Sequence, residues 1–274
     1  MPPSTVPRLS AAVWDLAVPD RQKPGVAMAG FRGRAPHQLD LQLVPYPAVT
    51  VFIEFGDGML VDATGVHRYG GGVVGLAPGV TNAIGRDVDC LQIRLSPLLA
   101  YRVFGERPAA TVLSLDAVWG RDAQRLCDRL HSAPSWRERF AIAATELNRQ
   151  RLVGPAADPE VAVAWRCLTR SRGTVRIEQI AEEIGWSRTR LWSRFGAQIG
   201  LPPKRAAQLI RFDHAAHCLA GGDAAAEVAY ACGYADQSHL HREARSFAGL
   251  TPTDIADAPW LDVDHLAWQY PPAP

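Results

Sequence analysis

The sequence predicts an α+β chain with a β-rich N-terminal half and an all-helical C-terminal half. Between Leu39 and Pro97, short runs of alternating apolar and polar residues are separated by Gly and Pro, which is typical of strands and turns. After Pro97 the apolar residues recur at the spacing of amphipathic helices. From Ile177 to Ile255 the sequence repeats itself at an interval of 48 to 49 residues, which indicates two copies of one helical unit.

The composition of the chain is that of a globular protein with two domains. It has 274 residues, of which 47% are hydrophobic and 21% charged, enough to bury two cores. No apolar run approaches the roughly 18 to 20 residues that cross a bilayer, and Met1–Asp20 lacks the pattern of a secretory signal. The five cysteines are scattered and never form a C-x-x-C pair, which argues against disulfides or a Cys-based zinc site. We therefore expect a cytoplasmic protein without a membrane segment.

The N-terminal half is predicted to form a small antiparallel β-sandwich or barrel. The predicted strands are Leu39–Leu43, Val49–Phe55, Met59–Val61 and Val88–Leu95. Gly56-Asp57-Gly58 lies between the second and the third strand and predicts a hairpin turn, whereas Gly70-Gly71-Gly72 is typical of a loop. In the last strand Leu91, Ile93 and Leu95 share one face, which predicts that this face lines the core.

Three helices and a linker follow the strands. The predicted helices are Leu98–Phe104, Asp122–Ser132 and Ser135–Arg151. Ser135–Arg151 is amphipathic and fits either a dimer element or a lid on the β domain. Leu152–Pro159 contains Gly and Pro and marks a domain boundary. The chain is thus divided into a β-rich sensing or dimerisation domain (1–151), a linker (152–159), a helical domain (160–257) and a Pro-rich tail (258–274), which is either packed or disordered.

The internal repeat has the pattern of two helix-turn-helix units. Ala181, Gly185, Trp186, Leu191, Gly200, Leu201 and Pro203 recur as Ala229, Gly233, Tyr234, Leu240, Gly249, Leu250 and Pro252. In the first unit Gly185 ends one helix, Ser187 caps the next, and Leu191 and Phe195 face the core. A linker helix over Pro203–Ala220 is predicted to join the two units.

The charge pattern of this repeat favours nucleic acid as the partner. Between Gly185 and Phe212 there are six basic residues and no acidic one. In the second unit, the residues left facing outward are Ser238, His239, Arg242 and Arg245. A helix whose free face carries such residues suits the major groove of DNA. A helical repeat that serves only as a scaffold is the alternative.

These residues resemble the AraC/XylS family of bacterial transcription regulators over about Val175 to Ile255. The matching signatures are Ile180-Ala181 to Gly185, Gly200-Leu201-Pro202-Pro203, Arg211-Phe212, Gly233-Tyr234-Ala235-Asp236-Gln237-Ser238-His239-Leu240, Arg242 and Gly249-Leu250-Thr251-Pro252. The resemblance implies two helix-turn-helix units whose recognition helices enter successive major grooves. The N-terminal half is similar, more weakly, to the cupin-like domains that sense effectors or dimerise in this family. We therefore expect a sequence-specific transcription regulator, and an activator in preference to a repressor.

The resemblance also implies which residues contact DNA. The implied set is Arg188, Thr189, Trp192 and Ser193 in the first unit and Gln237, Ser238, His239 and Arg242 in the second unit. From their own positions, Arg245 on the free face of the second unit and Lys204 in the basic stretch are expected to contact DNA too. Arg242 is the best candidate for a bidentate contact to guanine, whereas Lys204 is expected to contact phosphate. The family often has Arg where Ser193 stands and Phe where Ala244 stands. The core of the second unit is therefore lightly packed, and Phe247 or Trp260 is expected to fill it.

The expected partners are double-stranded promoter DNA, RNA polymerase, a small-molecule effector and a second copy of the chain. If an effector binds, the apolar interior around Phe52, Phe55 and Leu91 is the expected pocket, although a plain core is the favoured interpretation of these residues.

Catalytic chemistry finds little support in the sequence. His239 and His241 lie two apart on a helix and point in different directions, while His37, His67 and His131 are far apart in the chain. These histidine positions predict no metal site. No G-x-S-x-G elbow or phosphate-binding loop is present either, so we expect no cofactor and no enzyme activity. The alternative is a DNA-modifying or repair enzyme fused to the same DNA-binding domain. That reading requires either a reactive cysteine, for which Cys90 and Cys127 are the residues to test, or a carboxylate poised for base chemistry, and residues 1–151 show the pattern of neither.

Overall fold

A computed structural model describes residues 15–62, 65–67, 71–76, 79–106, 112–258, 264 and 268. The strands in these ranges are β1 (Asp15–Ala17), β2 (Val26–Leu43), β3 (Val49–Glu54), β4 (Met59–Asp62), β5 (Gly65–His67), β6 (Gly71–Val74), β7 (Thr81–Leu95) and β8 (Val112–Ser114). The helices are α1 (Pro97–Phe104), α2 (Leu115–Trp119), α3 (Arg121–Ser132), α4 (Trp136–Val153), α5 (Pro159–Arg170), α6 (Ile177–Glu183), α7 (Arg188–Ile199), α8 (Pro203–Ala220), α9 (Ala225–Ala231), α10 (Gln237–Ala248) and α11 (Pro252–Ala256). No helix among the described residues is long and apolar enough to cross a membrane.

The strands form one antiparallel sheet, which confirms the predicted β-rich N-terminal domain. Its order is β1-β2-β7-β3-β6-β8, and β4 pairs with β5 and β7 beside this path. β2 and β7 are the two long strands and pair from Val26 opposite Leu95 to Leu43 opposite Thr81, with one irregularity between Arg34 and Leu39.

The predicted hairpin across Gly56-Asp57-Gly58 is wrong. β3 and β4 do not pair with each other, because both pair with β7: Glu54 lies opposite Cys90, and Met59 lies opposite Ile84. Asp57 holds the intervening segment against β7, since its Oδ1 accepts hydrogen bonds from the N–H groups of Arg86 and Asp87. The two glycines therefore lie in an irregular segment between β3 and β4, two strands that both pair with β7. β7 is long enough to pair with both strands, which short-range turn signals do not reveal.

The glycine run is also partly misassigned as a loop. Gly71 and Gly72 belong to β6, while Gly70 lies outside the described residues. A Cβ atom on Gly71 would lie 2.1 Å from Cδ1 of Leu115. The absence of a side chain here therefore lets the strand approach α2.

The core of the N-terminal domain lies between the sheet and the helices that follow it. Leu91, Ile93 and Leu95 are fully buried, as their shared face predicts. α4 contributes Phe140 and Leu147 to the same core. This packing supports the interpretation of the predicted Ser135–Arg151 helix as a lid on the sheet.

The helical C-terminal domain has the predicted architecture. The linker helix α8 has the bounds expected from the sequence, Pro203–Ala220. Phe247 stacks on Phe212 with ring centroids 5.3 Å apart, and both side chains are buried. Phe247 is one of two residues expected to fill the lightly packed core around Ala244, and its stacking on Phe212 agrees with that expectation. The other residue, Trp260, lies outside the described residues.

The described part of the tail packs against the N-terminal domain. Asp264 accepts a hydrogen bond from Arg94 on β7 at 2.9 Å and lies 3.0 Å from Nε2 of His217 on α8. Trp268 is buried, and the Arg94 guanidinium lies 4.0 Å from the centroid of its ring. These contacts join β7, the tail and the linker helix.

Candidate nucleic-acid interface

The two helix-turn-helix units repeat each other in backbone detail. Gly185 and Gly233 both follow the first helix of a unit and have positive φ of 67° and 74°. The aromatic residue that follows each glycine donates its backbone N–H to an alanine carbonyl. The distances are 3.0 Å from Trp186 to Ala181 and 2.9 Å from Tyr234 to Ala229. These hydrogen bonds satisfy carbonyls at the helix end and set the angle at which the next helix begins.

The second recognition helix, α10, presents one polar face. Asp236 caps the helix by accepting a hydrogen bond from the His239 N–H. Leu240, Ala244 and Phe247 are buried on its inner face. The exposed face carries four of the residues expected to contact DNA, namely Gln237, Ser238, Arg242 and Arg245. Within the described part of the chain, the structure records no hydrogen bond or ion pair for the side chain of Arg242.

His239 is placed differently from its neighbours on α10. Its side chain is about one-third exposed, and its ring packs edge-on against Tyr234 with centroids 5.2 Å apart. Nδ1 accepts a hydrogen bond from the Ala235 N–H at 3.4 Å. This imidazole therefore braces the turn before α10, and only part of it is open to a partner.

A buried ionic network, which the sequence did not reveal, supports the inner side of α10. Glu243 accepts two hydrogen bonds from Arg211 of α8, at 3.2 and 2.6 Å, and a third from the Tyr234 hydroxyl at 2.8 Å. Burial and the neighbouring carboxylate raise the pKa of Tyr234, so its hydroxyl stays protonated and can donate. The network fixes α10 to the linker helix. The only signal in the sequence was an acidic residue within an otherwise basic helix.

The first recognition helix, α7, has the same construction. Ser187 caps it by accepting a hydrogen bond from the Arg190 N–H, and Leu191 and Phe195 are fully buried. The outward residues implied by the sequence, Arg188, Thr189, Trp192 and Ser193, are all exposed. Trp192 leaves 43% of its surface open although its side chain is large and apolar.

Comparison with known proteins identifies this part of the chain. Residues 180–258 match the family described as a helix-turn-helix domain. The C-terminal region is an AraC-type helix-turn-helix domain. It is a DNA-binding domain of transcription regulators, as the repeat predicted. No match was found among curated proteins.

Solved structures of ToxT from Vibrio cholerae have the same two-domain fold. A 1.65 Å structure of ToxT is 13% identical to this chain, covers 85% of it and 98% of its own length, and has a TM-score of 0.50. ToxT bound to (E)-4-(8-methylnaphthalen-1-yl)but-3-enoic acid is 12% identical, with the same coverage and a TM-score of 0.50. The C-terminal domain of AraT from Geobacillus stearothermophilus is 21% identical, covers 37% of this chain and 87% of its own length, and has a TM-score of 0.35.

Some basic side chains between Gly185 and Phe212 already have partners within the protein. Arg194 forms a bidentate pair with Asp158 at 2.7 and 2.8 Å, and Arg211 pairs with the buried Glu243. Arg205 donates to Ser246 and lies over the ring of Phe247. The six basic residues counted between Gly185 and Phe212 therefore differ in how available they are to phosphate. Acidic partners from distant segments neutralise some of the charge that a local count assigns to DNA.

Two basic side chains in and beside α7 remain well placed for phosphate. Lys204 is exposed at the start of α8, and no ion pair is recorded for it among the described residues. Arg188 lies 3.6 Å from Glu178, but both side chains are more than half exposed, so water screens this pair.

Of the residues proposed for an effector pocket, Phe55 packs against the core cluster that contains Leu91, but Phe52 lies apart from them. Leu91 is fully buried in the core, whereas Phe52 alternates with the buried Val51 and Ile53 and lies on the other face of β3. Phe55 packs against His131 with ring centroids 5.2 Å apart. The expectation that Phe52, Phe55 and Leu91 line one pocket is therefore wrong, because side chains of adjacent residues on a strand point to opposite faces.

A cleft instead lies between the two domains. Its N-terminal wall includes Leu76, Tyr101 and Phe104, and its other wall is the C-terminal end of α7, with Gln198 and Ile199. Oε1 of Gln198 accepts a hydrogen bond from the Asp158 N–H at 2.8 Å, and the pKa of the Asp158 carboxyl is lowered by Arg194 and also by the side-chain amide of Gln198. An apolar cleft with one side-chain amide in its wall suits a small apolar molecule with a polar end.

The thiols that the enzyme alternative requires are not activated. Burial raises the pKa of Cys90 well above its ordinary value and that of Cys127 to about 11. A thiol with a raised pKa carries little thiolate at neutral pH and is a poor nucleophile.

Proposed function

We propose that this protein regulates transcription by binding specific DNA sequences through both helix-turn-helix units, and that it activates its targets without being an enzyme. The observation that carries the proposal is the pair of recognition helices, each capped alike and each with an exposed polar face. The inert environments of Cys90 and Cys127 favour this reading over a DNA-modifying enzyme.

Base recognition is assigned mainly to the second unit. Arg242 is exposed near the middle of the free face of α10, and its planar guanidinium can bind O6 and N7 of guanine together, which is worth roughly 1–3 kcal/mol of discrimination. Gln237 and Ser238 in the first turn can reach base edges or phosphate. If α7 and α10 enter the same face of the duplex, their sites are separated by about 10 to 10.5 bp.

The test is a fluorescence-anisotropy titration of the full chain on DNA selected from a random pool and on random duplex, at two salt concentrations. We expect a preference of about a thousandfold or more for selected DNA and a steep fall of affinity with salt. Arg242→Ala should flatten the preference at one base pair, whereas Lys204→Ala should weaken all sequences alike. Absence of binding to either DNA would reject the proposal in favour of a scaffold, and an unchanged base preference in Arg242→Ala would reject the role of that residue. Activation is tested with a reporter placed behind the selected site.

The interdomain cleft is the proposed effector site, and its ligand is an apolar carboxylic acid. Support comes from the apolar walls, from the side-chain amide of Gln198 in one of them, and from the ToxT structure that holds an arylbutenoic acid. A ligand here would contact the end of α7 and so could shift the first recognition helix. Calorimetric titration with aryl and alkyl carboxylic acids should show binding that Gln198→Leu weakens and Gln150→Leu leaves intact. Equal binding by both variants would place the effector elsewhere.

A further inference from the structure

Two cysteines and one histidine meet where the linker helix packs against the second helix-turn-helix unit. The ligating atoms of His214, Cys218 and Cys232 all lie within 4.8 Å of one another, and Nδ1 of His214 is 4.0 Å from Sγ of Cys218. We propose that His214, Cys218 and Cys232 form a site for a thiophilic metal ion of the zinc class.

The geometry comes close to that of a bound zinc ion. With Zn–S distances of about 2.3 Å and Zn–N distances of about 2.0–2.1 Å, tetrahedral ligand atoms are roughly 3.4 to 3.8 Å apart. The largest separation in the cluster, 4.8 Å, therefore needs to shorten by roughly 1.0 to 1.4 Å. Two thiolates and an imidazole are the donor set that zinc, and not magnesium or calcium, prefers.

The fold holds these ligands on rigid elements. His214 and Cys218 lie four residues apart on one face of α8, and Cys232 is the buried residue that ends α9. In the first helix-turn-helix unit the position of Cys232 is occupied by Ile184, so the site belongs to the second unit alone. His214 and Cys218 are half-buried, which leaves a path for the ion and a fourth position for water.

Metal uptake must rearrange one neighbour. The Arg172 guanidinium lies 2.9 Å from Nε2 of His214 and can only donate, so the imidazole proton of the metal-free protein resides on Nδ1. On binding, the metal takes the Nδ1 lone pair, the imidazole proton moves to Nε2, and the exposed Arg172 side chain turns toward solvent. Each thiol loses its proton to water, so one divalent ion replaces two protons.

The sequence did not predict this site because its ligands have no compact motif. Cys218 and Cys232 are separated by the turn and the helix that begin the second unit, and His214 and Cys218 lie on α8 whereas Cys232 follows α9. The bound ion would tie α8 to the turn that positions α10. Metal occupancy would thereby set how firmly the second recognition helix is held, which links the site to DNA affinity.

The test titrates the reduced, metal-free full chain with Co²⁺ under anaerobic conditions and then displaces Co²⁺ with Zn²⁺. We expect one equivalent of Co²⁺ per chain, with the thiolate-to-metal absorption and the visible bands of a tetrahedral site. Cys218→Ser and His214→Asn should each weaken binding at least about tenfold. Cys167→Ser, which alters a half-buried thiol outside the cluster, should bind as the wild type does.

A second measurement guards against variants that fold poorly. Zn²⁺ should raise the thermal unfolding temperature of the wild type and of Cys167→Ser but not that of Cys218→Ser. No thiolate-to-cobalt absorption in the wild type, or uptake that survives both Cys218→Ser and Cys232→Ser, would overturn the proposal. A Cys218–Cys232 disulfide formed in place of metal uptake would overturn it too. No DNA is present in these experiments, so their failure leaves the proposed regulatory function untouched.

Discussion

Lys204 and Arg194 belong to the same basic stretch, yet the structure gives them different tasks. Arg194 is held by both carboxylate oxygens of Asp158 in the segment before α5, whereas Lys204 points into solvent. Each phosphate neutralised by a protein contributes roughly 0.9 to the slope of log affinity against log salt concentration. A basic side chain that already has a carboxylate partner adds little to that slope.

We therefore predict that Lys204→Ala lowers the salt slope of DNA binding by about 1, and that Arg194→Gln leaves the slope unchanged. The measurement is anisotropy on one duplex across a series of salt concentrations. Arg194→Gln serves as the matched control because it removes the same charge from the same stretch. Equal losses of slope in the two variants would show that Arg194 leaves Asp158 to contact DNA.

Outward-facing residues were predictable from the sequence, and inward polar residues were not. The repeat places buried Leu191 and Leu240 in equivalent positions, so the free faces of α7 and α10 follow from helical spacing. The buried contacts of Glu243 were not predictable because its partners lie on another helix and in a turn. A local pattern assigns a residue to a face but does not say which distant charge that face meets.

Two left-handed glycines show how the short connections between helices set the packing of the C-terminal domain. Gly173, between α5 and α6, has a φ of +75°, and a Cβ there would lie 2.1 Å from the carbonyl oxygen of Ala207 on α8. Gly185, in the turn of the first unit, has a φ of +67° and open space around it. Both positions are strained for other residues, but only Gly173 has a neighbour that must move.

We predict that Gly185→Ala lowers the free energy of unfolding by about 1–2 kcal/mol, the cost of a left-handed conformation for a residue with a Cβ. Gly173→Ala should lower it by more, because α5 and α8 must also separate. Urea unfolding of both variants measures the difference. Similar losses in the two variants would mean that the α5–α6 connection yields without disturbing α8.

Helices were predicted better than strand pairing. The sequence gives α8 the bounds observed and places α1, α3 and α4 within a residue or two, because helical spacing is a local property. The hairpin between β3 and β4 failed because pairing depends on β7, which is distant in the chain. Likewise the glycines of β6 resemble a loop until the approach of α2 is known.

At the scale of the whole molecule, the C-terminal tail contacts both domains. Asp264 receives Arg94 from the sheet and His217 from the linker helix, and Arg94 lies between the rings of Tyr46 and Trp268 at 4.1 and 4.0 Å. The sequence left open whether this tail packs, since no pattern in it identifies Arg94 as a partner. This ionic contact therefore connects the sheet to α8 through one carboxylate.

The protonation of His217 determines over which pH range this ionic contact holds. Burial opposes the charged imidazole, but Asp264 and Asp213 outweigh it and raise the pKa of His217 from 6.5 to about 9. Burial likewise opposes the charged form of Asp264, yet Arg94 and His217 hold the pKa of that carboxyl below its ordinary value. The stabilisation from His217 is therefore complete below pH 6.5 and is lost as the pH rises through about 9. The stabilisation from Asp264 is present above the ordinary pKa of an aspartate, and it is lost as the pH falls through the lowered pKa of this carboxyl in the folded protein.

We predict that between pH 7 and 10 the wild-type protein loses on the order of 2 kcal/mol more unfolding free energy than His217→Gln, which has no proton to release there. The measurement is urea unfolding at a series of pH values. His241→Gln, which alters an exposed histidine on α10, should follow the wild-type curve. Arg94→Gln should lower stability at pH 7 because it leaves Asp264 with one cationic partner in a buried site. Parallel curves for the wild type and His217→Gln would mean that the imidazole is neutral in the folded protein and that Arg94 alone holds the tail.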